Sequence, residues 1–317
     1  MSGALFADVA GKLTIPDEIL STSGIGTGLS NGGAAAFSGA SAVRANPAML
    51  ALEKTYAISA GYHWPAIGSD FYRLGVIDSK TSDIAAGLTF VRPTEKFEQL
   101  RKESRNGDLL LPLKSRLALG FGYTLNRVAV GLSGQIIEAY EAQTDSDQIS
   151  RIRGNTLGLG LAGLLTPSIR AAISAENLAN RQVAYVAPRF IRAGIAYLTP
   201  SGTLSTHLDY LNRAALVPKS AGSTAATQSL GLIAAQLADS DAAQSEQQVV
   251  ASFTAKAYDL LRLVGSYGAV VENRRQMFGG GVALVNRNWT FSYMAMRPDT
   301  RITSAHQAVS LEINVAL

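Results

Sequence analysis

Residues 309–317 read Val-Ser-Leu-Glu-Ile-Asn-Val-Ala-Leu, and their alternation decides the fold class. Val309, Leu311, Ile313, Val315 and Leu317 fall on one face of an extended chain and Ser310, Glu312 and Asn314 on the other, because successive strand side chains point to opposite sides. Just upstream, Trp289, Phe291, Tyr293 and Ala295 alternate with Thr290, Ser292 and Met294. Near the start of the patterned region, Tyr56, Ile58, Ala60, Tyr62 and Trp64 alternate with Ala57, Ser59, Gly61 and His63. About fourteen such segments of about ten residues follow one another, the length of a tilted strand crossing a bilayer. They centre on 54–64, 69–78, 81–91, 113–124, 126–137, 154–165, 168–177, 189–198, 202–212, 248–258, 260–271, 276–285, 288–297 and 305–317. None of comparable length reads helical.

The connections carry a second signal. Those after the even-numbered segments are minimal, at Ser79-Lys80, Leu125, Thr166-Pro167, Thr199-Pro200-Ser201, Asp259 and Asn286-Arg287. The others include long stretches at 92–112, 138–153, 178–188 and 213–247. Tight turns at one end and long loops at the other predict an all-β, up-and-down transmembrane antiparallel barrel in a bacterial outer membrane, bathed by lipid and lipopolysaccharide. A soluble sandwich needs Greek-key crossovers instead.

Composition agrees. Of 317 residues, 47% are hydrophobic and only 16% charged, with 30 glycines, no cysteine and a net charge of +4. Without cysteine there is no disulfide framework and no thiolate metal site, and three histidines leave little for any other metal cluster, so no cofactor is expected. The basic surplus forms no run, which argues against nucleic acid. Uninterrupted apolar stretches fall far short of the roughly 20 residues of a membrane helix. Met1–Leu20 carries Asp8, Lys12, Asp17 and Glu18 and does not read as a secretory signal, so a leader is expected to have been removed.

Face chemistry assigns the two sides of the wall. Leu117, Leu119 and Phe121, Val128, Val130 and Leu132, and Leu157, Leu159 and Leu161 form apolar stripes. The opposite faces hold Arg73, Lys114, Arg116, Gln135, Arg170, Glu176, Arg192, His207, Asp209, Lys256, Arg262 and Glu312, expected to line the lumen. Aromatic residues near segment ends (Tyr62, Trp64, Tyr123, Tyr197, Tyr210, Trp289) match the girdles of a membrane barrel. Most lumenal charges should pair with one another or with plug carbonyls, and surplus arginine suits a carboxylate headgroup.

Residues 21–50 neither alternate nor suit a stable amphipathic helix, being rich in Gly, Ser and Ala. Small residues allow close backbone packing, so this stretch is expected to plug the lumen, dividing the chain into 1–52 and a barrel at 53–317. Here Ser23-Gly24-Ile25-Gly26, Gly32-Gly33-Ala34, Ala40-Ser41-Ala42-Val43 and Asn46-Pro47-Ala48 resemble the N-terminal hatch of FadL-like outer-membrane long-chain fatty-acid transporters, and equally that of PorV-like barrels serving type IX secretion. Ser174-Ala175-Glu176-Asn177-Leu178 and Pro188-Arg189-Phe190-Ile191-Arg192-Ala193-Gly194 are similar to the same superfamily. The chain departs from it in being shorter, which implies shorter external loops, and in ending on Leu317 where the family usually ends on an aromatic residue.

The FadL-like resemblance implies a non-enzymatic barrel passing small hydrophobic or amphipathic molecules. Asn46, Pro47 and Ala48 then form a rigid bend that gates the hatch, since proline fixes φ and lacks an N–H. Leu230, Ile233, Ala234 and Leu237, spaced by three and four in the 213–247 loop, form an apolar patch for a hydrophobic ligand or a protein partner. Phe97 and Leu100 lie in a charged loop segment. The PorV-like resemblance implies instead a closed docking barrel for a periplasmic or surface protein complex. A hydrolase reading rests on Thr203, Ser205, His207 and Asp209 sharing a face, but i and i+2 side chains about 7 Å apart are too distant for a direct hydrogen bond.

Overall fold

The computed structural model describes Leu29 and residues 33–36, 38–64, 70–94, 113–142, 149–179, 187–214, 245–271, 276–297 and 305–315. The patterned segments form fourteen strands: β1 (Tyr56–Trp64), β2 (Phe71–Asp78), β3 (Ile84–Pro93), β4 (Leu113–Leu125), β5 (Val128–Ala142), β6 (Ile149–Leu164), β7 (Ile169–Leu178), β8 (Phe190–Leu198), β9 (Leu204–Ala214), β10 (Ser245–Lys256), β11 (Leu261–Val270), β12 (Gln276–Val285), β13 (Trp289–Arg297) and β14 (His306–Asn314). Each pairs antiparallel with its sequence neighbours, and β1 closes on β14 from Ala57↔Asn314 to Trp64↔Gln307. Closure leaves no edge, so every strand satisfies its backbone within the wall, as hydrocarbon requires.

The wall is inside out by the standard of a soluble protein. Leu119, Leu132, Leu159 and Ile195 are 42%, 49%, 51% and 53% exposed on the outer face, whereas inward Ala118, Ala129 and Ala162 are at most 1% exposed. Apolar side chains on the large exposed surface and small ones inside fit lipid without and a filled lumen within. Trp64, Tyr123, Tyr197, Tyr210 and Trp289 stand on the outer face. Tyr62 lies edge-on to Trp64 with ring centroids 4.8 Å apart and donates its hydroxyl to Asp70 at 3.0 Å.

The even-numbered connections are short turns, and both strand termini, Tyr56 and Asn314, lie at that end. In the β2–β3 turn an Asp78 carboxylate oxygen accepts from the Lys80 and Thr81 amides at 3.1 and 3.0 Å. Asn126, at φ 57°, turns the chain between β4 and β5. Two expectations are corrected. The stretch read as a 138–153 loop is largely strand, because β5 and β6 stay paired out to Ala142↔Ile149. There Glu138 opposes Arg153, so charges that interrupt the apolar pattern sit on a ladder that continues past the lipid-facing stripe. Lys114 does not face the lumen: a bulge between Leu113 and Ser115 shifts the register, and its Nζ meets Glu138 at 3.0 Å on the outer side.

Inside the barrel lie a short 3-10 turn (Gly39–Ser41) and two four-residue helices, α1 (Ala42–Ala45) and α2 (Met49–Leu52). Among the described residues no helix is long and apolar enough to cross a membrane. Ala42, Val43, Ala45, Ala48 and Met49 are fully buried against Ala85, Ala118, Ala129 and Ala162 of the wall. Small side chains on both surfaces let backbone approach backbone, which is why a stretch with poor helix propensity is ordered here.

Candidate functional site

The hatch is seated in an imprint made by glycines. Inward-facing Gly75, Gly87, Gly120, Gly122, Gly131, Gly160 and Gly194 lie on β2 to β8, where side chains would strike the hatch or its anchor. A methyl on Gly120 would sit 2.7 Å from the Val43 carbonyl oxygen, and one on Gly122 2.7 Å from that of Pro47. On Gly131 it would overlap the Pro47–Ala48 peptide, and on Gly160 the Asn46 side-chain oxygen. Asn46, Pro47 and Ala48 therefore press closely on the wall. Asn46 is fully buried, donates to the Ala34 carbonyl at 3.0 Å and accepts from the Ala48 amide at 3.3 Å. These glycines lie on the inward parity of their strands, a signal present in the sequence but silent until the hatch is placed.

Polar anchors complete the seat. Asp209 on β9 accepts from two successive hatch amides, Gly33 at 2.6 Å and Ala34 at 2.8 Å, with Gly33 at φ 96° turning both N–H groups to one carboxylate. Glu176 on β7 bridges the hatch to the wall: one oxygen accepts from Arg44 Nε at 2.8 Å and the other from Arg192, all three side chains being at most 2% exposed. The Arg192 guanidinium lies 4.9 Å from the Phe190 ring centre. Arg73 donates to the Ala40 carbonyl at 2.5 Å, Arg170 to that of Ala35 at 3.4 Å, and Thr124 to that of Ala51 at 2.9 Å. Of the lumenal residues read from the sequence, Arg73, Arg170, Glu176 and Asp209 thus grip the hatch, and Arg192 holds Glu176 from the wall. Arg116 is buried on the inner face of β4, and Arg262 is exposed near the short-turn rim. Lys256, expected in the lumen, is partly exposed and pairs with Asp259 at 2.8 Å in the β10–β11 turn.

Exchange at the clamp tests it. Asp209→Asn keeps one carbonyl acceptor and puts an amide donor against the second N–H, a loss of about 1–3 kcal/mol. Hydrogen exchange at Gly33 and Ala34 should accelerate at least tenfold, with the β9 ladder unaffected; unchanged protection would dismiss Asp209 as an anchor.

The hydrolase reading fails on geometry. Ser205 Oγ and His207 Nε2 are 2.9 Å apart, closer than i, i+2 spacing suggested, because both side chains bend toward each other. The Asp209 carboxylate, however, is committed to Gly33 and Ala34. Among the described residues no group of metal-binding side chains occurs.

Toward the long loops the lumen changes character, where the sequence reading expected charges and small residues throughout. Phe71, Phe190, Leu211, Val250, Met277 and Met296, on six strands, are at most 3% exposed on the inner face. Their inward parity was legible, since Leu211 alternates with Asp209 and Phe190 with Arg192; that Leu211, Val250 and Met277, from three strands, pack into one cluster was not. Leu230, Ile233, Leu237, Phe97 and Leu100 lie outside the described residues.

No family model and no curated protein matches the sequence. Among solved structures, the toluene transporter TodX of P. putida superposes with a TM-score of 0.62 at 11% identity, covering 93% of this chain and 99% of that one. A Pseudomonas aeruginosa FadL homologue gives 0.54 at 9% identity, with 92% and 98% covered. The fold is FadL-type. Nearly complete coverage in both directions means that the FadL-type likeness spans the fourteen-strand barrel as a whole, while identity this low speaks for architecture alone.

Proposed function

We propose that the chain is a non-enzymatic outer-membrane barrel through which small hydrophobic or amphipathic molecules pass. The observation that carries this reading is the apolar section of lumen formed by Phe71, Phe190, Leu211, Val250, Met277 and Met296. A water-filled pore lines its interior with polar groups, whereas an apolar lining desolvates and holds an apolar solute. The section lies on the long-loop side of a seated hatch, so a molecule arriving from outside meets apolar side chains before it meets the hatch. The FadL-type fold supports the reading, and one neighbour is the toluene transporter TodX. In this proposal Asn46-Pro47-Ala48, read from the sequence as a gate, is the fixed point of the hatch, since its backbone is pressed on Gly122 and Gly131. No specific observation favours the alternative of a closed docking barrel.

The test is uptake in intact lipopolysaccharide-bearing cells. Expressing the barrel should accelerate uptake of N-phenyl-1-naphthylamine severalfold over an empty vector and leave sucrose uptake unchanged. Leu211→Asp, which sets a carboxylate in the apolar section, should return the rate to near the vector level while the barrel still migrates as a folded band. Acceleration of sucrose but not of the apolar probe would overturn the proposal.

A further inference from the structure

The outer face of the wall is not charged evenly. At the long-loop ends of β3 to β6 it carries Arg92, Lys114, Arg151 and Arg153, with Glu138 among them. Glu138 is committed to Lys114 at 3.0 Å, whereas Arg92, Arg151 and Arg153 are exposed and form no ion pair with a described residue. At the corresponding ends of β9 to β12 the outward positions are Asn212, Gln247, Ala269 and Gln276, all uncharged. In a chain whose net charge is only +4, the basic surplus of this rim is concentrated on one side.

The ladder sets these groups in a row. Arg92 pairs with Tyr72 of β2, and the β3–β4 register, printed by Val91↔Arg116, brings it beside Ser115 of β4. Ser115 pairs with Glu138 of β5, and Glu138 with Arg153 of β6. Arg92 and Arg153 therefore stand three strand spacings apart, about 14 Å. Arg151 occupies the next outward position of β6, opposite Tyr140. Toward the short turns the same faces become apolar at Phe90, Leu117 and Leu157. Tyr72, paired with Tyr62, marks the level at which hydrocarbon gives way to headgroups.

The leaflet on the long-loop side of an outer membrane is built of lipopolysaccharide. Its lipid A carries a phosphate at each end of a disaccharide, above several acyl chains, whereas a phospholipid offers one phosphate above two. Guanidinium groups set apart over a broad apolar wall suit the former, since each can take a phosphate through two parallel hydrogen bonds. We infer that this rim of β3 to β6 binds lipid A, Arg92 holding one phosphate and Arg151 with Arg153 the other, with the acyl chains on Leu117 and Leu157. The site lies outside the wall, so it stands independently of what the lumen passes.

Delipidated barrel in detergent, titrated with bisphosphorylated lipid A and followed by native mass spectrometry, should take up one lipid per chain. Arg92→Gln/Arg151→Gln/Arg153→Gln should weaken that binding about tenfold or more. Removing three exposed charges at the short-turn rim, by Lys80→Gln/Arg127→Gln/Arg287→Gln, should leave it unchanged. On the parent barrel, lipid A stripped of both phosphates and phosphatidylglycerol should each bind about tenfold more weakly, which keeps the inference testable if the triple variant folds poorly. Equal binding of either lipid, or displacement of lipid A by millimolar inorganic phosphate, would overturn the site. So would parental affinity in the Arg92/Arg151/Arg153 variant, or an equal loss in the short-turn variant.

Discussion

Gly131→Val should free the hatch from the wall while the barrel stays closed. A side chain at this position overlaps the Pro47–Ala48 peptide, and no rotamer relieves a collision with backbone. Overpacking by a few methyl groups costs about 1–3 kcal/mol when side chains can shift; here the upper end applies, which moves the docking equilibrium by about two orders of magnitude. Arg44, 2% exposed in the seated hatch, provides the readout. Trypsin should cut after Arg44 within minutes in the variant and not in the parent, with the folded barrel band retained. Gly134→Val is the control, because a methyl there meets nothing within 4 Å and valine suits an outer strand face. Continued protection of Arg44 in the Gly131 variant would show that the hatch can sit elsewhere.

Replacing Glu176 by leucine should be the most destabilising single change among the lumenal charges. The carboxylate, fully buried, is shared by Arg44 of the hatch and Arg192 of β8, and its loss leaves two buried guanidinium groups repelling each other. Breaking a buried pair by removing one partner costs about 3–5 kcal/mol, far more than the pair itself contributes. The expected result is a fall of the unfolding temperature in detergent together with cleavage at Arg44. The double variant Glu176→Leu/Arg44→Met removes the hatch charge as well and should recover much of the loss. A single variant as stable as the parent would mean that other groups already satisfy both arginines.

The barrel was legible because lipid on one side of a wall forces every second residue to be apolar, a local rule that each segment states alone. Ile191, Ala193 and Ile195 disclose their face without reference to any partner. The places where the reading slipped are places where that rule lapses. Beyond the lipid-facing stripe, β5 and β6 carry Glu138 and Arg153 on the outer parity and look like loop. At the bulge near Leu113, one extra residue inverts the parity, and Lys114 changes sides.

By itself, then, the alternation and the two classes of connection determined a barrel of about fourteen strands, and away from the bulge the parity of each strand determined which residues face inward. Only the tertiary structure decided what the inward residues do. Glu176 reaches Arg44 across 132 residues and Asp209 reaches Gly33 across 176, and nothing in either segment signals the other. Hydrocarbon acts on each strand separately and leaves a periodic trace in the chain, whereas contacts across a lumen join residues at any separation and leave none.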